Sequence, residues 1–241
     1  MGIELGQKII DTCRGKIKIE DFGQLKFLLV LKKLKNKLLG SYSQYGEDLI
    51  LSKLLKIKKN GFYLDIGANH PKELSNTAYF YNRGFTGVNI EANPNLIQSF
   101  NELRKKDINL NLGISNQASE MTFYLSSADT LSSFNLEALK ESCEIHGAEI
   151  IGEIRVKTDL LQNIIEKYAK DKNIDFMSVD VEGHDLEVLQ SNNWDKYRPD
   201  FLIIETNINT SNISQFIEKI DYKLVYKNHT NSIYKDCRKA E

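Results

Sequence analysis

Cysteine is scarce in this chain. Cys13, Cys143 and Cys237 are scattered and odd in number, which excludes a disulfide framework or a zinc knuckle. The four histidines form no H-x-x-x-H pair. Neither sign of charge dominates: 32 Lys and Arg stand against 33 Asp and Glu, so composition gives no support for a nucleic-acid partner. No apolar run is long enough to span a bilayer, and the first residues lack the apolar stretch of a signal peptide. A cytoplasmic location is therefore the expectation. The three prolines say nothing about chemistry. The most telling absence is G-x-G-x-x-G, the pattern that seats a pyrophosphate on bare backbone at a helix N-terminus. Without it a dehydrogenase is a distant reading.

What is there is a chain of 241 residues, 41% hydrophobic and 27% charged, enough for one domain with a substantial core and a small appendage. Residues 61–71 run Gly-Phe-Tyr-Leu-Asp-Ile-Gly-Ala-Asn-His-Pro: an apolar stretch, then Asp65, Gly67 and small polar residues. A buried parallel strand delivers the chain to a ligand in this way. A second apolar run at 87–90 ends in Glu91, where nucleotide-binding sheets place an acid on ribose hydroxyls. Gly67 leaves room for close ligand approach. Asp65 would repel a pyrophosphate but attract a cation, so the sulfonium and ammonium of S-adenosylmethionine suit it better than NAD. Taken alone, Asp65 and Gly67 fit a helix cap and a turn equally well.

Residues 24–39 have helical propensity, a broad apolar face and five lysines, which reads as an N-terminal helical cap over residues 1–40. Such a helix is expected to pack on its own domain or on a second copy of the chain, in preference to an anionic membrane surface. From residue 41 to 241 strands and helices alternate. Helix is expected at 46–56, 75–84, 136–144, 160–170, 185–191 and 213–220, and from an Asn93 cap with Pro94 at N1 to about 105. Strand is expected at 62–66, 87–90, 108–114, 121–125, 150–157, 176–181 and 201–205, with a closing hairpin of 223–226 and 232–234. This order predicts an α/β fold, a mostly parallel, doubly wound sheet with an antiparallel edge. Residues 126–157 read as an insertion whose small polar start, 126–134, is either a lid, an acceptor-binding wall or an ordinary loop.

Asp65, Glu91, Asp180 and Glu205 all stand at carboxyl ends of expected parallel strands, which converge on one crevice. Four such acids ask for a cationic or hydroxyl-rich ligand. Together with Ser43-Gln44-Tyr45-Gly46-Glu47-Asp48, Asp65-Ile66-Gly67-Ala68-Asn69, Ser75-Asn76-Thr77, Asn89-Ile90-Glu91-Ala92-Asn93-Pro94, Asn111-Leu112-Gly113-Ile114-Ser115 and Ser178-Val179-Asp180-Val181-Glu182-Gly183-His184, the chain resembles the FkbM-type S-adenosylmethionine-dependent methyltransferases over residues 41–207. The resemblance implies the seven-stranded, Rossmann-like sheet of class I methyltransferases. It implies that Glu91, with Ala92 beside it, holds the ribose diol. Gly67, Ala68 and Asn69 would pass the methionine part, with Asp65 near its ammonium. Gly113 and Ile114 would line the adenine, Gln44 and Glu47 would reach the cofactor from the preceding helix, and Asp180 would face the methyl-transfer end.

Methyl transfer to an alcohol requires a proton to leave. His184, Glu182 and His70 are the candidate bases, His184 foremost. Alternatively Asp180, Glu205 and Asn207 offer oxygens to a Mg²⁺ that would acidify the hydroxyl; the sequence leaves metal dependence open. The resemblance implies O-methylation of a sugar or other small acceptor in glycan or secondary-metabolite assembly. N-methylation, which needs no strong base, and a non-catalytic nucleotide-binding module of the same fold are the alternatives.

Overall fold

The computed structural model describes residues 38, 40–55, 60–206 and 210–239. The expected N-terminal cap thus lies almost wholly outside the described residues. Among those described, no helix is long and apolar enough to cross a membrane.

Three strands with every residue buried form the middle of the main sheet: β1 (Phe62–Ile66), Phe176–Val179 and Phe201–Glu205. The strands in chain order are β2 (Thr86–Glu91), β3 (Ile108–Asn111), β4 (Gly113–Ile114), β5 (Ser119–Ser126), β6 (Ile150–Asp159), β7 (Phe176–Val179), β8 (Phe201–Glu205), β9 (Tyr222–Lys227) and β10 (Asn231–Asp236). Seven of them make one sheet, ordered β3-β2-β1-β7-β8-β10-β9. Its pairs are parallel from β3 to β8, and β10 runs antiparallel to both β8 and β9. The expected mostly parallel sheet with a C-terminal hairpin is what forms. Strand order reverses between β1 and β7, and a doubly wound sheet opens its ligand crevice at such a point.

Alternation along each strand builds a core on both faces. Leu64, Ile66, Met177, Val179, Leu202 and Ile204 face one side, where Ile164 and Ile165 of helix Leu161–Tyr168 and Val188 and Leu189 of helix Asp185–Gln190 cover them. Tyr63, Phe176, Phe201 and Ile203 face the other, against Leu51, Tyr79, Phe80 and Phe85. Phe176 sits between Tyr63 and Phe80, with ring centroids 5.5 and 4.6 Å away.

Helix Pro94–Leu103 starts as its sequence predicts, with Asn93 Oδ1 accepting from the Asn95 amide at 3.0 Å and proline in the first turn. The strand expected at 108–114 is instead two strands. Asn111 Nδ2 donates to the carbonyls of Glu91 and Ala92 at 2.9 and 3.0 Å, which ends the pairing of β3 with β2. Gly113 and Ile114 then join β6 in a second sheet, ordered β4-β6-β5. The residues expected as an insertion, 126–157, thus run from the last residue of β5 through helix Leu136–His146 into β6, and with β5 they make one excursion from the main sheet. This excursion packs on the main sheet's crevice through Phe123 and Val156 against Ala92.

Candidate active site

Five segments converge outside the carboxyl ends of β1, β2, β7 and β8: the turn before helix Glu47–Leu54, residues 65–69, 74–76, the turn after β7, and the excursion. Between them lies a cavity of about 510 Å³, within the usual size of small-ligand sites. Gln44, Asp65, Gly67, Ala68, Asn69, Glu91, Ala92, Gly113, Ile114, Asp180 and Glu182 all line it, as does Glu205.

The β1–β2 end is built around two acids. Glu91 is 5% exposed. Its Oε2 accepts from the Asn69 amide at 2.8 Å and its Oε1 from the Asn93 amide at 2.7 Å, so one carboxylate ties together the turns that follow β1 and β2. The Ala92 amide adds to this hold, and burial still pushes the Glu91 carboxyl above its ordinary value. Asp65 is equally buried, and its Oδ2 accepts from the Thr77 hydroxyl at 2.6 Å. Burial pushes the Asp65 carboxyl up to about 7, against the opposing pull of Thr77 and Arg104. Gly67 has φ +76°, and a Cβ there would overlap the Asp180 carbonyl oxygen. The glycine is therefore required first by the close approach of the β7 turn, and only secondarily by a ligand. Gly113 likewise makes room for the Phe134 ring.

At the β7–β8 end, Asp180, Glu182 and Glu205 place carboxylate oxygens within 4.8 Å of one another. Asp180 and Glu205 hydrogen-bond carboxyl to carboxyl, which requires a shared proton. Burial and the neighbouring acids push Glu205 up to about 11, and Glu182 up to about 9. Glu182 has φ +53°, a left-handed conformation that costs a side-chain-bearing residue about 1–2 kcal/mol. It is held there from both sides. Asp185 accepts from the Val181 and Gly183 amides below, both at 3.2 Å. Ser133 donates to the Glu182 carbonyl at 2.7 Å from above.

Three expected site residues do not reach the cavity. Glu47 is fully buried: its carboxylate accepts from Asn228 and Asn231 at 2.6 and 3.0 Å and from the Tyr45 amide at 2.9 Å. It braces Gln44 and Tyr45 against the β9–β10 turn and is not among the residues that line the cavity. His184, expected as the foremost base, turns its Nε2 to Ser115 Oγ at 3.0 Å and its ring toward Phe134. Its Nδ1 lies 3.8 Å from Glu187, and burial lowers its pKa. His70 closes a turn, its Nδ1 accepting from the amides of Lys72 and Glu73 at 3.2 and 2.8 Å. Conversely, Ser142 and His146 of helix Leu136–His146 line the cavity, as do Asp129, Thr130, Tyr45 and Thr230. Nothing in the local sequence of helix Leu136–His146 marks it as facing a ligand. Asn207 lies outside the described residues.

The buried acids make stability depend on pH with a definite sign. Glu182 and Glu205 hold their protons more tightly folded than unfolded, so each contributes stability that is lost as pH rises toward the folded pKa. Each such group loses at most about 1.4 kcal/mol per pH unit while it stays protonated. Scanning calorimetry of the ligand-free protein is expected to show Tm falling by roughly 5–10 °C from pH 7 to pH 9. A flat or rising Tm would mean that these carboxyls are charged in the native state.

A family model described as the methyltransferase FkbM domain matches residues 65–230. Among solved structures, the chain is similar to the methyltransferase FkbM from Methylobacillus flagellatus KT, at 16% identity over 73% of this chain and 43% of that one, with a TM-score of 0.46. This chain thus spans less than half the length of that relative. It is also similar to a TehB-like SAM-dependent methyltransferase from Corynebacterium glutamicum, at 8% identity over 86% and 96% of the two chains, with a TM-score of 0.43. A third similar structure is TrmK of M. capricolum in complex with S-adenosyl-homocysteine, at 14% identity over 78% and 68%, with a TM-score of 0.36. No curated protein sequence matches. With the family model covering more than half of the chain, including the cavity-lining acids and the excursion, the chain belongs to the FkbM family of S-adenosylmethionine-dependent methyltransferases.

Proposed function

We propose that this protein methylates a hydroxyl of a sugar or other small polyhydroxylated acceptor, with S-adenosylmethionine as donor, in glycan or secondary-metabolite assembly. The observation that carries the reading is one continuous cavity lined both by Glu91 and Asp65 and by Asp180, Glu182 and Glu205. The donor set fits the cofactor. Glu91 accepts from the ribose diol, Asp65 faces the ammonium, the backbone of Gly67 to Asn69 passes the methionine part, and Gly113 and Ile114 flank the adenine. The cofactor supplies a methyl group on a sulfonium, open to in-line displacement. The protein's share is to hold the two reactants in contact and to accept a proton.

Glu182 takes that proton. In the ligand-free protein its carboxyl is protonated at neutral pH, and a cationic ligand beside it favours the ionised form. Residues 128–134 and helix Leu136–His146 wall the acceptor side. Six carboxyl groups and no Lys or Arg line the cavity among the described residues. Such a wall favours neutral or cationic acceptors over phosphorylated ones. The test is methyl transfer from labelled S-adenosylmethionine to a panel of neutral, amino-substituted and phosphorylated glycosides, with and without a chelator. Methyl ethers on neutral glycosides, unaffected by chelation, are the expected result. Methylation only of amino-substituted acceptors would favour N-methylation. Activity lost to the chelator and restored by Mg²⁺ would replace the carboxylate base with a cation among Asp180, Glu182 and Glu205.

A further inference from the structure

Arg104, the residue that ends helix Pro94–Leu103, is 2% exposed, and it heads the fully buried side chains by volume. A buried guanidinium is costly unless its donors are satisfied, and here they are, in an uneven way. Nη1 lies 3.5 Å from Asp107 Oδ2, an ion pair without the short parallel contacts of a bidentate fork. Its closest partners are neutral. Nε donates to the Pro71 carbonyl at 2.7 Å and Nη1 to the Tyr63 hydroxyl at 2.8 Å. Nη2 donates to Ser75 Oγ at 3.2 Å and to Thr77 Oγ1 at 3.4 Å. Three of these four partners belong to residues 71–77, the segment that carries Leu74, Ser75 and Asn76 to the cavity wall.

The direction of the hydrogen bonds matters. Thr77 Oγ1 accepts from Arg104, so its own proton is free to point elsewhere, and it points at Asp65 Oδ2. Ser75 Oγ also accepts from Arg104, and from the Thr77 and Ala78 amides at 3.3 and 3.1 Å, which starts helix Ala78–Tyr81. One cation thereby sets the path of a segment and the orientation of a hydroxyl that touches a cavity carboxylate. We propose that Arg104, which lines no part of the cavity, is the positioning residue of the cofactor end, acting on Asp65 through Thr77 and on the wall through Pro71 and Ser75.

The charged and titratable groups around Asp65 are Arg104 from the end of its helix, Asp107 from the following turn, Asp180 from the turn after β7 and Tyr63 from β1 itself. Of these only Arg104 is a cation, so weakening its reach to Thr77 leaves Asp65 among acids. This rests on the reading that the ammonium of the cofactor meets Asp65. Binding should then strengthen as Asp65 loses its proton, with a midpoint near the pKa of about 7 in the wild type.

The test is titration of the full chain with S-adenosylhomocysteine from pH 5.5 to 9, for wild type, Arg104→Lys and Thr77→Val. Lysine keeps the charge but loses the fork that reaches both hydroxyls. Valine keeps the shape and removes the proton given to Asp65. Both variants are expected to bind about tenfold more weakly at pH 7, with the binding midpoint moved to higher pH. A merely structural arginine would lower Tm and leave that midpoint in place, and an unmoved midpoint in both variants overturns the proposal. Should Arg104→Lys fail to fold, Thr77→Val decides alone, since it keeps Arg104 and its bonds to Pro71, Tyr63 and Ser75 while removing the hydroxyl that meets Asp65 and Ser75. Wild-type protein that binds no S-adenosylhomocysteine at any pH would overturn the cofactor reading, and this proposal with it.

Discussion

Replacing Glu91 by alanine is expected to weaken S-adenosylhomocysteine binding by on the order of 100-fold or more, measured by calorimetric titration. A hydrogen bond to a charged group contributes about 1.5–3 kcal/mol, and a vicinal diol makes two of them with one carboxylate. Losing both costs about 3–6 kcal/mol, where each 1.4 kcal/mol is tenfold in affinity. The loss is compounded in this protein because Glu91 also receives the Asn69 and Asn93 amides. Its removal frees the turn after β1, to which the proposed function gives the methionine part, as well as the turn that opens helix Pro94–Leu103. Glu91→Gln, which keeps an acceptor oxygen but not the charge, should fall between wild type and alanine. Alanine-variant protein that binds as tightly as wild type, with an unchanged Tm, would remove the ribose role from Glu91 and leave the cavity without its strongest claim on a nucleoside.

The second large effect is expected at Glu182. Glu182→Gln should lower kcat by about 10²- to 10⁴-fold, the usual range for a general base, while S-adenosylhomocysteine affinity stays within a factor of about two. Glutamine has nearly the same shape and preserves the contacts of the turn, because Ser133 and Asp185 hold Glu182 by its backbone and its neighbours' amides. The pH dependence gives a second reading. A base must be ionised, so the wild-type kcat/KM should rise with pH toward the elevated pKa of Glu182 in the free protein. The glutamine variant should lose that rise. His184→Ala and His70→Ala should leave kcat nearly unchanged, since His184 is engaged by Ser115 and His70 by its own turn. Full activity in Glu182→Gln, with loss in Asp180→Asn, would move the base to the carboxyl pair that shares a proton.

Much of this fold is written locally. The strands at 62–66 and 201–205 have the bounds that their apolar runs predict, and Asn93-Pro94 starts its helix by capping chemistry that operates within three residues. Strand alternation with an ordered series of acids was enough to place Asp65, Glu91, Asp180 and Glu205 around one crevice, because parallel strands present their carboxyl ends on the same side. That reasoning depends only on periodicity and chain direction, both of which a sequence carries.

What a side chain faces depends on partners far away in the chain, and there local pattern had no purchase. The run at 108–114 reads as one strand, yet the Asn111 side chain takes the carbonyls at the end of β2 and sends Gly113 into another sheet. Glu47 stands in a motif that suggests a cofactor contact, but two asparagines some 180 positions later claim its carboxylate. His184 follows a strand end as a base should, but Ser115 engages its Nε2 and the residue does not line the cavity. His146, on a helix whose sequence shows only amphipathic packing, reaches the cavity because the excursion folds back over β2. By itself the sequence determined the sheet, the crevice and the acids that line it, since these follow from repeats of two and from strand ends. Only the tertiary structure decided which polar side chains are left for a ligand and which are consumed by the protein, since a hydrogen-bonding group goes to the partner that packing brings within about 3 Å.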